Sequence, residues 1–220
     1  MKTIANPKAS AGFTIVELLI ATTVLSVLLL LATLIITNIG NLYYKGVNST
    51  HVQDDTRDIT AQLSQDLQTG SNFAAATPLG SIQAICTSGI RYRYVVGKQV
   101  GSGPLQTPHV LWRDANPNPG SCVATAFGPA PVGTELIAPG SRLADFDVHE
   151  TVPGSGVYII SVAIAFGSDP NLLCSTSELG TCTGAAPLTY PTFDIACLGG
   201  SGDRFCATSS LKTTVVARIR

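Results

Sequence analysis

The chain has 220 residues, with 13 basic and 14 acidic side chains and a net charge of −1. Charged residues make up 12% and apolar ones 45%, and the mean hydropathy is +0.31. The near-neutral balance excludes a polybasic nucleic-acid surface and an acidic tail, and the length allows one ordinary core plus an appendage.

The apolarity is concentrated near the N-terminus. Residues 1–12 (MKTIANPKASAG) are polar, carry Lys2 and Lys8, and hold no acid. Phe13 then opens a long apolar stretch, and residues 18–36 run for 19 positions without a charge. As a helix that segment spans about 28 Å, close to the thickness of a bilayer core. The preceding lysines hold the leader in the cytoplasm and send the rest of the chain outside. A cleaved secretory signal has a shorter apolar core closed by small residues, and neither feature is present. A plain membrane anchor leaves Glu17 unexplained, since an acid in the span costs up to about 3 kcal/mol.

The helical pattern continues past residue 39 and becomes amphipathic. Ile36, Ile39, Tyr43 and Val47 form one stripe, and Val52, Ile59, Leu63 and Leu67 form a second on nearly the opposite side. Asp54, Asp55, Arg57, Asp58 and Asp66 fall outside the second stripe. A break near residues 46–49 would produce this pattern. So would one helix using two faces, the first packing on other chains and the second on the rest of its own chain. No proline lies between residues 13 and 77, so the single helix is the expectation, stopping at Gly70.

Residues 90–96 and 109–113 read as strands joined by a Gly/Pro-rich connection. Ala144, Phe146 and Val148 alternate with Asp145, Asp147 and His149 as a half-buried strand. In residues 157–166, Tyr158, Ile160, Val162, Ile164 and Phe166 share one face, and small Ser161, Ala163 and Ala165 share the other, where a helix could approach closely. A last strand alternates from Leu211 to Ile219, leaving residues 167–210 as a long loop region. These pieces make one antiparallel sheet on a helix, an α+β head.

All six cysteines, Cys86, Cys122, Cys174, Cys182, Cys197 and Cys206, lie in this second part. Their even number and position outside the cytoplasm point to disulfides, and the absence of any C-x2-C pair argues against zinc. About fifteen pairings are open to six cysteines. The expectation adopted is pairing of sequence neighbours: Cys86 with Cys122, Cys174 with Cys182, Cys197 with Cys206.

No catalytic set is visible. His51, His109 and His149 are scattered, and no H-E-x-x-H, G-x-S-x-G or P-loop occurs. His51 and His149 are expected on solvent-facing surfaces. Asp145 with Asp147, and Asp114-Ala115-Asn116 in a loop, offer oxygen ligands for calcium, but without EF-hand spacing they read as solvated polar groups, so no metal and no cofactor is expected. Trp112, Tyr92 and Tyr94 alternate with arginines; at strand spacing the two sets occupy opposite faces, so nucleic acid is not an expected partner.

Gly12-Phe13-Thr14-Ile15-Val16-Glu17, behind a basic leader and before an apolar run, resembles the cleavage and methylation motif of type IV prepilins. The resemblance implies a membrane peptidase cutting after Gly12, methylation of the new amine of Phe13, and Glu17 facing the N-terminal amine of a neighbouring subunit. It implies a cleaved leader over 1–12, a transmembrane and filament-core helix over 13–39, an amphipathic extension over 40–70, and a disulfide-containing head over 71–220. Many major pilins of the family carry a proline in mid-helix; Leu34 stands there in this chain, so an uninterrupted helix is expected.

Thr56-Arg57-Asp58-Ile59, Leu63 to Leu67, Arg91-Tyr92-Arg93-Tyr94, Leu111-Trp112-Arg113-Asp114 and Thr213 to Arg218 resemble the minor pilins akin to the J-type pseudopilin. That subgroup implies a structural, non-enzymatic subunit that initiates assembly or sits at the filament tip. Its partners would be other pilins, the prepilin peptidase, an inner-membrane assembly platform and, before assembly, the bilayer. The location would be the inner membrane, with the head outside, and then a surface pilus or a periplasmic pseudopilus. Two alternatives stand beside it: a pseudopilin of a type II secretion system, and a tip adhesin using the cysteine-rich residues 167–210.

Overall fold

The computed structural model describes residues 12–70, 73–87, 89–102, 106–117, 120–127, 132–167, 173–175, 188–198 and 205–218. One α-helix, α1 (Ile15–Thr69), runs without a break through residues 46–49. Its interior contains no proline, and its Leu, Ile and Ala content favours the helical backbone. Gly70 follows its last residue, and the carbonyl of Gln68 in its last turn accepts the Arg218 amide at 3.1 Å. The chain forms two compact units, the first ending at Tyr43 and the second running Tyr44–Arg220.

The second unit holds the head. Its strands are β1 (Phe73–Ala75), β2 (Gln83–Thr87), β3 (Ile90–Tyr94), β4 (Gln99–Val100), β5 (Gln106–Thr107), β6 (Leu111–Ala115), β7 (Thr134–Glu135), β8 (Ser141–Glu150), β9 (Val157–Phe166), β10 (Leu173–Ser175), β11 (Ile195–Cys197) and β12 (Ala207–Val216). The class is α+β, but the single sheet expected from sequence is two five-stranded sheets and a two-stranded ribbon. Their orders are β1-β2-β3-β6-β7, β12-β9-β8-β4-β5 and β10-β11. Among the described residues all pairings are antiparallel except β4 with β5. The connection between β3 and β6 is not a plain loop, because β4 and β5 within it join the other sheet. The first expected strand ends early, at Tyr94, and the second lies two residues later, at Leu111–Ala115. The last strand begins four residues early, at Ala207, and the expected loop before it carries the β10-β11 ribbon.

Both large sheets contribute to one core. Val52, Ile59, Leu63 and Leu67 of α1 pack with Ile85, Tyr92 and Leu111 of the first sheet and with Leu143, Phe146, Ile160, Val162, Ile164 and Val215 of the second. The second stripe of the sequence is therefore the core-facing one. Thr56 and Thr60 are buried along it as well, each returning its hydroxyl to the carbonyl one turn earlier at 2.7 Å.

A β-bulge between Leu143 and Asp145 turns Ala144 to the far side of β8, while Leu143 and Phe146 keep facing the main core. On that far side Ala144, Ala163 and Ala165 meet Leu173, Ile195 and Cys206, with Leu188, Tyr190 and Phe193 beside them. The small-residue face expected to admit a helix is thus covered by the cysteine-rich segment. The helix lies on the opposite face, where the large side chains provide more apolar area to bury.

Candidate functional site

Thr14 precedes the first helical residue, Ile15, and Glu17 lies in the first turn. The Thr14 amide donates to Glu17 Oε2 at 2.9 Å, and the Thr14 hydroxyl donates to the same oxygen at 2.9 Å. In return the Glu17 amide donates to Thr14 Oγ1 at 3.2 Å. This is a reciprocal capping box, which satisfies amides that the start of a helix leaves bare and places an anion at the positive end of the helix dipole. The prepilin resemblance assigns Glu17 only to an amine of another subunit. The Thr14-x-x-Glu17 spacing is the sequence signal for this additional, local role. Gly12 and Phe13 lie immediately before the cap, with Phe13 86% exposed. Lys2, Lys8 and the rest of the expected leader up to residue 11 lie outside the described residues.

From Ile15 through Tyr44 every residue is exposed except Gly40 and Asn41, which are half-buried. The helix is long and apolar enough to cross a membrane. Its hydroxyls are adapted to that setting. Thr22, Thr23, Ser26, Thr33 and Thr37 each donate to a carbonyl three or four residues earlier, at 2.7 to 3.0 Å. A hydroxyl paired within its own helix needs no partner from lipid. Ile36, Ile39 and Tyr43 of the first stripe are exposed, and Val47 is half-buried.

In the head, Asp66 lies outside the second stripe and is nevertheless buried. Its carboxylate accepts hydrogen bonds from Tyr92 Oη and from Arg113, whose Nε lies 3.0 Å and Nη2 3.2 Å away. Burial and the Asp66 charge push the Tyr92 hydroxyl pKa far up. Asp55 lies beside the 136–140 turn and accepts the Ala138 amide at 3.3 Å. Burial raises its pKa.

On the opposite face of the first sheet, Arg91 grips Asp114 through Nε (2.9 Å) and Nη2 (2.8 Å), and Arg93 Nη2 reaches the same carboxylate at 2.7 Å. Both arginines also hold the extended residues 121–127: Arg91 donates to Val123 O, and Arg93 to Thr125 O and Ala126 O. The Cys86–Cys122 disulfide fastens the same segment. Asp114 is therefore a strand residue in a buried ion cluster, not an oxygen ligand in a loop, while Asn116 donates to Ser121 O. Tyr92, Tyr94 and Trp112 are all buried, so they form no open stacking platform. The two sets do not divide by face as expected: Trp112 pairs with Arg93 and shares its face, and Arg113 pairs with Tyr92 on the other.

Of the histidines, His51 is exposed. His149 is exposed too and contacts Asp147 at 2.6 Å. His109 differs: it packs edge-on to Trp112, and its Nδ1 lies 3.4 Å from Glu135 Oε2. Burial, with help from the Arg93 charge, lowers its pKa. Burial raises the Glu135 pKa to about 6 despite donated bonds from the Leu111 and Val110 amides. Asp145 is half-buried, and its pKa is raised by burial and by the Asp147 charge. Among the described residues no three His, Cys, Asp or Glu side chains converge as metal ligands.

Two of the expected disulfides are present, Cys86–Cys122 and Cys197–Cys206. Cys174 is disulfide-bonded as well; its expected partner Cys182 lies outside the described residues.

The prokaryotic N-terminal methylation motif matches residues 7–33. No curated protein and no solved structure matches the chain. The matched segment contains the capped Glu17 and enters the exposed apolar helix, and it supports a type IV prepilin-like protein whose helix is long and apolar enough for a single membrane pass.

Proposed function

We propose that the chain is a minor pilin: a structural subunit cut after Gly12 by prepilin peptidase, methylated on Phe13, and built into a type IV pilus-like filament at its initiating or tip end. The observation that carries the reading is the carboxylate of Glu17, held at the start of a helix that carries no other charge before Lys45. Before assembly its negative charge is shared by the Thr14 amide and hydroxyl. Cleavage creates a cationic amine on Phe13, four residues away, and packing of helices brings such an amine from a neighbouring subunit. A carboxylate with a cation beside it tolerates an apolar surrounding that would otherwise exclude it.

The head remains outside the inner membrane, where its disulfides are stable. The partners are other pilins, gathered by the exposed face of α1, and the assembly platform. A pseudopilin of a type II secretion system would use the same helix physics with different partners.

Mass spectrometry of the N-terminus tests the processing step. A mature chain starting at methylated Phe13 is expected, and a chain retaining Met1 within filaments would refute it. Glu17→Ala should leave the protein in the membrane and remove it from sheared filaments, whereas undiminished incorporation would end the role given to Glu17. The subunits that co-purify with the assembled protein separate pilus from secretion system.

A further inference from the structure

Independently of the pilin reading, two arginines of the head share a pattern that Arg142 completes. Arg91 presents Nε and Nη2 to the two oxygens of Asp114. Arg113 presents the same two nitrogens to the two oxygens of Asp66. This edge of the guanidinium matches the spacing of a carboxylate, so both contacts are two-pronged and directional.

Arg142, on β8, is buried more deeply than either, at 2% exposure. Its Nη1 donates to Tyr190 Oη at 3.2 Å, and the Tyr190 ring centre lies 5.9 Å from its Cζ. Nε and Nη2 are both buried, and neither has a partner among the described residues. No carboxylate among the described residues forms an ion pair with it. A desolvated guanidinium without a counter-charge is costly, and a side chain kept for packing alone would be served better by methionine.

The surroundings are formed. Gln99 of β4 lies directly across from Arg142, and its amide is committed: Nε2 donates to Gly140 O at 2.7 Å and to Gly167 O at 3.1 Å, while Oε1 accepts from Gln106 Nε2 at 3.0 Å. Ala165 of β9, on the other side, contributes only a methyl group. Tyr190 covers the guanidinium and rests on Gly97, where any side chain would collide with the ring: a Cβ there would lie 2.7 Å from Tyr190 Cδ2. The covering segment is tied to β8 by the Thr192 amide, which donates to Ala144 O at 2.9 Å. The Tyr190 ring, resting on a bare glycine, can turn aside without unfolding the sheet beneath it.

We propose that Arg142 anchors a carboxylate-binding site, its Nε/Nη2 edge receiving both oxygens of a carboxylate supplied from outside the chain, with Tyr190 as the movable cover. The carboxylate is that of a small free acid or of a partner chain. The test uses the full-length protein in nanodiscs with 15N-labelled arginine, titrated with acetate and with N-acetylglycine, and with N-acetylglycinamide as the uncharged control. The Arg142 Nε–H resonance is expected to move saturably with a carboxylate and not with the amide. Saturation by acetate identifies a small acid, and a response to N-acetylglycine alone identifies a chain terminus.

Arg142→Lys, which keeps the charge and loses the fork, should bind at least about tenfold more weakly. Arg142→Met should lose the response and, without ligand, melt at or above the wild-type temperature. No movement with either acid overturns the proposal. So does a clear drop in the melting temperature of Arg142→Met together with a shift of the Arg142 resonance on Asp169→Asn, Glu178→Gln or Asp203→Asn, which would give the edge to an acid of the chain itself.

Discussion

Asp66 lies one turn beyond Leu63 on α1, and its carboxylate accepts hydrogen bonds from one tyrosine hydroxyl and two guanidinium nitrogens. Removing it leaves Tyr92 Oη and Arg113 without their acceptor beneath the helix. Asp66→Ala should therefore lower stability by about 3 kcal/mol in urea denaturation. Tyr92→Phe, which loses one bond to a charged group, should cost about 2 kcal/mol. Glu135 adds a pH dependence. Its pKa in the folded head is raised from 4.5 to about 6, so the folded state holds the proton more tightly than the unfolded one. The resulting stabilisation, about 2 kcal/mol, is full below the unfolded pKa of 4.5 and is lost as pH rises through 6. The lowered pKa of His109 acts in the opposite sense, its contribution being lost as pH falls. Glu135→Gln should flatten the melting temperature between pH 4.5 and 6 relative to wild type, and an unchanged profile would remove Glu135 from the account. None of these environments was legible in the sequence. A charged residue next to an apolar stripe has the same pattern whether it meets water or an arginine of the sheet.

At the scale of elements, what could be read was what repeats. The stripe Val52, Ile59, Leu63 and Leu67 was visible from its spacing, and all four residues are buried in the core. Leu63→Ala should cost about 2–5 kcal/mol, measurable by thermal or urea unfolding. The β8 and β9 strands were each visible from their alternation, except at the bulge, where one extra residue shifts the pattern. The two-residue strands β4 and β5 and the extended residues 121–127 carry no periodicity. The first two exist because a neighbouring strand pairs with them, and the last is held by Arg91, Arg93 and a disulfide. The two described disulfides close loops of different length, with sequence separations of 36 and 9. Loop entropy assigns about 4 kcal/mol to Cys86–Cys122 and about 2.5 kcal/mol to Cys197–Cys206. The double serine variant of the first pair should lose more stability than that of the second, and the reverse order would show that the unfolded chain is not what these bonds restrain.

For the whole molecule, the N-terminal motif was the most legible feature because its chemistry is local: a cap, an acid and an apolar run lie within consecutive residues. The head was legible only as a class. Its division into two sheets depends on β4 and β5 crossing to the second sheet, a choice settled by tertiary packing. The link between the Arg218 amide and the Gln68 carbonyl has a mechanical meaning. Together with the Asp66 contacts and the buried stripe, it fastens the second part of α1 to the head at many points along its length. Tension drawn through that helix is divided among these fastenings, so the head gives way only when many of them fail at once.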